Sequence, residues 1–413
     1  MKLLNVDTVE AARGKLAACT RDWTLPVEKI PVNSAAGRVL AEDIIAAENI
    51  PGFRRSTVDG YAVVSADTAA AGESIPAFLK LAGSVEMGTV PGFSINSGEC
   101  AYVPTGGMLP GGADAVVMVE YSGCTAANAG KKTIAIYEPA AVGRGVAEAD
   151  EDIRRGETAL QRGAVMRPQE IGVLAALGIE QVPVYAPLRL AIFSTGNELA
   201  APGAPPALGE IRDINAPALR ALAERRGFVV TVQRTIPDDA ALLEQALRGA
   251  LDAADVVAVS GGSSQGEKDA TAEIFSCIAG PGIFTRGLAM KPGKPAILAY
   301  NRATKTILAG LPGHPVPAIL VFETLLSPLV RSLSGQCEPF PVPAVISQNL
   351  AAAPGRACYQ PVTLRFENGG YIAEPVFGKS GMISTLARAS GYIVIDLNTE
   401  GLRQGEAVLV HLF

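Results

Sequence analysis

The chain has 413 residues, of which 48% are hydrophobic and 18% charged, and its formal net charge is -6. That length implies about two to four domains with ample apolar material for their cores. The acidic balance argues against nucleic acid or an anionic membrane surface as a partner.

The opening MKLLNVDTVEAARGK stops being apolar after two leucines, and no run of 18 apolar residues follows, so the expectation is a cytoplasmic protein without a signal peptide or membrane span. Asp7 with Glu10 three positions on reads as a capping box that opens a helix to about Cys19. From Leu25 to Ile50 the pattern mixes strand, short helix and strand. From about Phe53 to Glu138, short β-branched runs such as AFLKLAGSV and ADAVVMVEY alternate with Gly and Pro turns, which predicts a small β-rich domain. Polar, glycine-punctuated residues 142–163 read as a linker or exposed ligand loop, and RPQEIGVLAALGI as a short helix.

From Leu188 to about Ser334 strands and helices alternate: LRLAIFS, APALRALAERRG, FVVTVQRTI, DDAALLEQALRGALDAA, DVVAVS, a helix after Asp269, AILAY, TILAGLP and a last helix from Pro315. Such alternation predicts a three-layer α/β domain with a mostly parallel sheet and helices on both faces. Ligands of such sheets bind at the carboxyl ends of the strands, where STGNEL, SGGSSQGEKD and AGLPGHP stand. The last stretch, about Pro341 to Phe413, returns to short strands and predicts a β-barrel or sandwich.

Six cysteines (Cys19, Cys100, Cys124, Cys277, Cys337 and Cys358) form no C-x-x-C pair and read as buried free thiols rather than a disulfide framework or zinc site. With only His314 and His411 in the chain, acid, base and metal work falls to carboxylates and lysines. The loop after DVVAVS fits G-x-x-x-x-G from Gly261 to Gly266, but Glu267 stands where a nucleotide-binding P-loop needs lysine. Its residues Gly261, Gly262, Ser263, Ser264 and Gly266, with the helix N-terminus behind them, remain able to take a phosphate. In STGNEL, Gly196 lets the backbone turn while Ser194 and Thr195 could donate to an anion. Glu198, Asp213 and Asp269 could bind a divalent cation such as Mg²⁺; Asp213 and Asp269 read equally well as helix N-caps, and Glu198 as a solvated turn residue. MKPGKP offers Lys291 and Lys294 on a rigid turn of Pro292, Gly293 and Pro295, an arrangement suited to an oxyanion.

The ordered set FRRSTVDGYAV, VPTGGMLPGGADAVVMVE, STGNEL, IRDIN, SGGSSQGEKD, MKPGKP, GLPGHPV and KSGMISTLARASGYIVI resembles the molybdopterin molybdotransferases, the MoeA and gephyrin E-domain family. The resemblance spans nearly the whole chain. It implies a multidomain subunit: an elongated connecting and dimerisation domain from 1–50 with 139–180, a small β-rich domain at 51–138 inserted N-terminally, an α/β molybdopterin-binding domain at 181–334, and a C-terminal β-barrel-like domain at 335–413. The implied reaction takes adenylylated molybdopterin and molybdate, breaks the phosphoanhydride with help from Mg²⁺ or another divalent cation, releases AMP and leaves the metal on the dithiolene. Implied partners are a second copy in a homodimer, a MogA-like molybdopterin adenylyltransferase and molybdoenzyme apoproteins.

By motif, the resemblance carries Asp59, Thr105 and Asp152 into a cleft shared between subunits, alongside Glu198, Asp213, Asp269, Lys291 and Lys294. Gly313 and His314 fall in the pterin-binding domain, and Arg356 and Ser380 are helpers from the C-terminal domain. Asp152 read alone is a solvated loop charge. The chain departs from the family's wording at Val58 (for methionine), Ser263–Gln265, His314 (for asparagine) and Pro317 (for serine). Losing that serine hydroxyl leaves tungstate open as the oxyanion, and a non-catalytic pterin carrier or scaffold is the rival reading.

Overall fold

The computed structural model describes the backbone of residues 6–128, 131–200, 203–261, 267–352 and 354–413, with side chains apart from those of 126–128, 131 and 267–269. The chain forms two compact units, Met1–Glu28 with Pro183–Phe413, and Lys29–Val182.

The first unit is built on a six-stranded sheet. Its strands are β1 (Leu188–Thr195), β2 (Phe228–Ile236), β3 (Val256–Gly261), β4 (Pro281–Arg286), β5 (Ile297–Asn301) and β6 (Thr306–Leu311), in the order β2-β1-β3-β6-β5-β4. The pairings β1–β2, β1–β3 and β3–β6 are parallel, whereas β5 pairs antiparallel with both β6 and β4. β4 was not legible in the sequence; it opens on Pro281 and Gly282, and an edge position tolerates both.

Period-two alternation sends successive residues to opposite faces. Leu190, Ile192, Val256, Ala258, Ile307 and Ala309 enter one core. Ala191, Phe193, Val257, Val259 and Leu308 enter the other. The first core is covered by α1 (Val9–Cys19) through Val9, Ala12 and Leu16, and by α2 (Asn215–Arg225) through Ala216, Leu219 and Ala223. The second is covered by α3 (Ala240–Ala250) and α4 (Glu267–Ile278). These are the three layers the alternation predicted.

The start of α1 corrects one reading. Its N-cap is Thr8, whose Oγ1 accepts from the Ala11 N–H at 3.1 Å, not Asp7. Asp7 is engaged elsewhere: its carboxylate accepts from Lys15 Nζ at 2.7 Å and from Thr285 Oγ1 at 2.8 Å.

The helical run Pro315–Ser334 comprises α5 (Pro315–Val321), a π turn (Phe322–Leu326) and α6 (Ser327–Ser334). It is long and apolar enough to cross a membrane by composition, which the sequence reading missed, but 78% of its apolar window is buried inside the fold. Pro328 accounts for the π turn, because it has no N–H for the Thr324 carbonyl and its ring crowds that oxygen. Arg13 of α1 fills the gap, donating from Nε to the Thr324 carbonyl at 2.6 Å.

The C-terminal strands are β7 (Val342–Ile346), β8 (Ala357–Glu367), β9 (Gly370–Pro375), β10 (Gly391–Ile395) and β11 (Ala407–Leu412). They pair β8-β9-β7-β11-β10, and β10 returns to β8, so the five strands close a barrel around Ile346, Val362, Ala373, Ile393 and Val410. Closure removes the sheet edges. All six cysteines are free, as read from their spacing, but of these only Cys100 is buried, and Cys124, Cys277 and Cys337 are exposed.

In the second unit, a six-stranded sheet runs in the order 115–118, 60–63, 99–103, 77–84, 131–136, 122–128. It is antiparallel except where 77–84 meets 99–103. This is the predicted β-rich domain. Beside it in sequence, two segments form an antiparallel ladder with rungs Val39↔Val165, Ile44↔Leu160, Ile50↔Ile153 and Ser56↔Val146.

The helix Pro168–Ala176 of this unit is closed by Glu170, which accepts from the Arg167 N–H at 2.9 Å and from its guanidinium. The Arg167 hydrogen bonds hold the Glu170 carboxyl at about 2, against an ordinary 4.5. A carboxyl depressed in the fold stabilises above its unfolded pKa and loses that contribution as pH falls toward its folded one. Glu170→Gln is therefore expected to lower the melting temperature at pH 7 by about 2–4 °C, equivalent to about 1 kcal/mol given an exposed arginine partner. The gap to wild type should close between pH 4.5 and 2, as followed by calorimetry.

Candidate functional site

In the first unit's sheet, β1 lies between β2 and β3, so the chain leaves β1 to one side and returns on the other. At such a reversal the connections diverge and open a crevice beyond the carboxyl ends of the two strands. β1 ends in Ser194 and Thr195, β3 in Ser260 and Gly261, and register pairs Ser194 with Ser260 and Thr195 with Gly261. A cavity of about 280 Å³ opens there, lined among others by Ser194, Thr195, Glu198, Asp213, Gly261 and His314. Seven residues predicted from four motifs thus share one cavity, Gly313 among them.

The columns Leu190–Ile192 and Val256–Ala258 feed the α2 face of the core, and the next residue on that face of each strand is a serine, Ser194 and Ser260. Polar side chains therefore begin where the cavity begins. Gly261 has φ +131°, and a Cβ there would collide with the carbonyl and hydroxyl oxygens of Thr195. Only glycine lets the two strand ends approach this closely.

Asn215, at the start of α2, was not singled out by the sequence. Its Nδ2 donates to Ser260 Oγ at 2.6 Å and to the Gly313 carbonyl at 2.7 Å, tying α2 to the ends of β3 and β6. These partners lie 45 and 98 positions away, so no local pattern marks them. Asp213 does cap α2: Oδ1 accepts from the Ala216 N–H at 3.0 Å, and Oδ2 accepts from Thr235 Oγ1 at 3.4 Å. The Glu198 carboxylate lies beside the Gly196 backbone and makes no hydrogen bond or ion pair among the described residues, while its backbone carbonyl accepts from the Ile211 N–H at 2.7 Å.

His314 stands exposed before α5, with Nδ1 2.9 Å from Ser380 Oγ, and the Val316 N–H donates to the Ser380 carbonyl at 3.3 Å. Ser380 is thereby brought to the cavity, and Gly381 lines it. Pro317 is buried within α5.

Lys291, Pro292, Gly293, Lys294 and Pro295 do not line this cavity. Their turn is held against the barrel, where Lys291 pairs in register with Cys358 two residues beyond the exposed Arg356. Burial raises the Cys358 thiol above its ordinary range, opposed by the Lys291 charge. Gly262, Ser263, Ser264 and Gly266 lie outside the described residues, as does the side chain of Asp269. Among the described residues no three His, Cys, Asp or Glu side chains group as a metal site.

Asp59, Thr105 and Asp152 belong to the second unit. Asp59 and Thr105 meet: Asp59 Oδ1 accepts from the Thr105 N–H at 2.7 Å and from its Oγ1 at 3.0 Å. Asp152 is an exposed residue on the ladder, its N–H donating to the Ile50 carbonyl at 3.0 Å.

Residues 7–178 match the family described as MoeA N-terminal region (domain I and II), 191–332 the probable molybdopterin binding domain, and 343–413 the MoeA C-terminal region (domain IV). The chain is 32% identical to a molybdopterin molybdenumtransferase of Haemophilus influenzae, covering 98% of each chain. A Staphylococcus aureus protein of the same name is 29% identical over 93% of this chain and 91% of its own. A crystal structure of a molybdopterin biosynthesis MoeA protein from Pyrococcus horikoshii superposes with TM-score 0.82 at 29% identity, covering 99% of this chain and 100% of that one. The chain belongs to the MoeA family.

The two Thr105 hydrogen bonds lower the Asp59 carboxyl below its ordinary 3.8, the backbone N–H contributing most. Thr105→Val removes only the hydroxyl donor, so the Asp59 pKa should rise part of the way back in an NMR titration, with the backbone contribution kept.

Proposed function

We propose that this chain is a molybdopterin molybdotransferase, which cleaves adenylylated molybdopterin, releases AMP and places molybdate's metal on the pterin dithiolene. The observation that carries this reading is the cavity at the strand reversal, where motif residues far apart in sequence converge in a chain of the MoeA family. The strand ends contribute hydroxyls, Glu198 contributes a carboxylate with no partner among the described residues, and the His314–Ser380 pair closes one side.

Glu198 and Asp213 fit a hard divalent cation, since both line the cavity and one Asp213 oxygen is engaged only at 3.4 Å. Asp269 completes the proposed set. A bound cation would offset charge on the phosphoanhydride as it breaks. Lys291, Lys294 and Arg356 serve in this reading as the oxyanion-holding groups, with Asp59, Thr105 and Asp152 contributed across a homodimer. Mg²⁺ dependence, the cytoplasmic setting, the adenylyltransferase and apoenzyme partners and the four-domain division belong to the same proposal.

Purified full-length chain with adenylylated molybdopterin, Mg²⁺ and molybdate is expected to release AMP and form metal-bound pterin. Pterin binding without AMP release is the result expected of a carrier and would overturn the enzymatic reading. Replacing molybdate by tungstate in the same assay decides which oxyanion is used. Glu198→Gln should cut turnover at least about tenfold while leaving the melting temperature unchanged, because the carboxylate stabilises nothing in the fold.

A further inference from the structure

Two polar atoms in the cavity lining are buried and unpartnered among the described residues, Ser194 Oγ and Asn215 Oδ1. Ser194 is only 1% exposed. Its strand register beside Ser260, and the Asn215–Ser260 hydrogen bond, put both atoms on the same wall, at the floor formed by the strand ends. The Asn215 amide orientation is fixed by chemistry. The Gly313 carbonyl can only accept, so the atom 2.7 Å from it is the nitrogen. Both amide hydrogens are then committed, one to Gly313 and one to Ser260, and what Asn215 offers the cavity is a bare acceptor.

A buried acceptor is costly until something donates to it. Phosphate groups near neutral pH, like molybdate, present acceptor oxygens almost exclusively. An oxyanion would therefore leave Asn215 Oδ1 unsatisfied and face it with like polarity. A ring N–H beside a ring carbonyl supplies the missing donor, and it also supplies an acceptor for the Ser194 hydroxyl.

We propose that Ser194 and Asn215 read the amide edge of the pterin ring, with the ring N–H donating to Asn215 Oδ1 and the ring carbonyl accepting from Ser194 Oγ. This rests on the pterin-substrate reading above and changes the role the sequence suggested for Ser194, from anion donor to heterocycle reader. The floor thus takes the heterocycle, and the oxyanions lie away from it.

The test uses the full chain and 6-hydroxymethylpterin, a fluorescent pterin without phosphate or metal, with AMP and molybdate titrated separately by calorimetry. Ser194→Ala removes no side-chain hydrogen bond among the described residues, so its melting temperature should match wild type. Its pterin Kd should rise about tenfold while the AMP and molybdate affinities change by less than about twofold. Wild type should also bind the ring-N-methylated pterin more weakly than the parent. Unchanged pterin affinity in Ser194→Ala, a comparable loss for AMP or molybdate, or no pterin binding by wild type would each overturn the proposal. If the predicted pterin pattern appears but no AMP is released in the turnover assay, the floor assignment stands and the enzymatic reading falls. AMP release without the pterin pattern removes the floor assignment and leaves the enzymatic reading in place.

Discussion

A parallel sheet buried on both faces leaves its strand ends as the place where polar chemistry can reach solvent. In this chain both faces are filled, one by α1, α2 and the Pro315–Ser334 run and the other by α3 and α4. The lateral position of β1 between β2 and β3 then decides which strand ends part company. Everything proposed for the first unit depends on that reversal. It sets Ser194 beside Ser260 and Thr195 against Gly261, and it frees the segment carrying Glu198 and Asp213 to fold over the gap.

The opposite wall of the cavity is held by a less obvious chain of causes. Gly313 and His314 lead directly into α5, so their placement depends on how firmly that helical run is seated. Pro328 would leave the Thr324 carbonyl unpaired, and Arg13 supplies the missing donor from α1. Further along, Glu323 is buried with Arg226 and also accepts from Ser327 Oγ at 3.0 Å. A buried carboxylate is tolerated when its oxygens are satisfied in this way. A helix apolar enough for a membrane is thus a core element, tied by polar contacts to the helices beside it.

Much of this fold was legible because its signals are local. Period-two strands, period-3.6 helices and Gly-Pro turns gave the α/β core, the β-rich domain and the C-terminal barrel. What escaped was set by distant partners. Asp7 looks like a cap until Thr285, far along the chain, competes for its carboxylate. β4 has no strand signal of its own and is defined by pairing with β5. Of the cavity lining, Glu198 and His314 were marked by loops at strand ends and Asp213 as an acid just before a helix, but Asn215 was not marked, since its meaning lies in Ser260 and Gly313. The lysines of MKPGKP were read as companions of those loops. Their turn pairs with a barrel strand that starts at Ala357, and they stand outside the cavity lining.

That separation sharpens the electrostatics of the site. Among the described lining residues the formally charged side chains are Glu198, Asp213 and Arg212, a net charge of -1 with histidine neutral. A phosphoanhydride brings further negative charge, and like charges within a few ångströms disfavour binding strongly when partly desolvated. The described cavity therefore needs positive charge from outside its own lining before it can hold such a substrate. A divalent cation on Glu198 and Asp213 would meet that need at the carboxylates themselves. The cavity's own acids, Glu198 and Asp213, are thus the argument for a cation between protein and substrate.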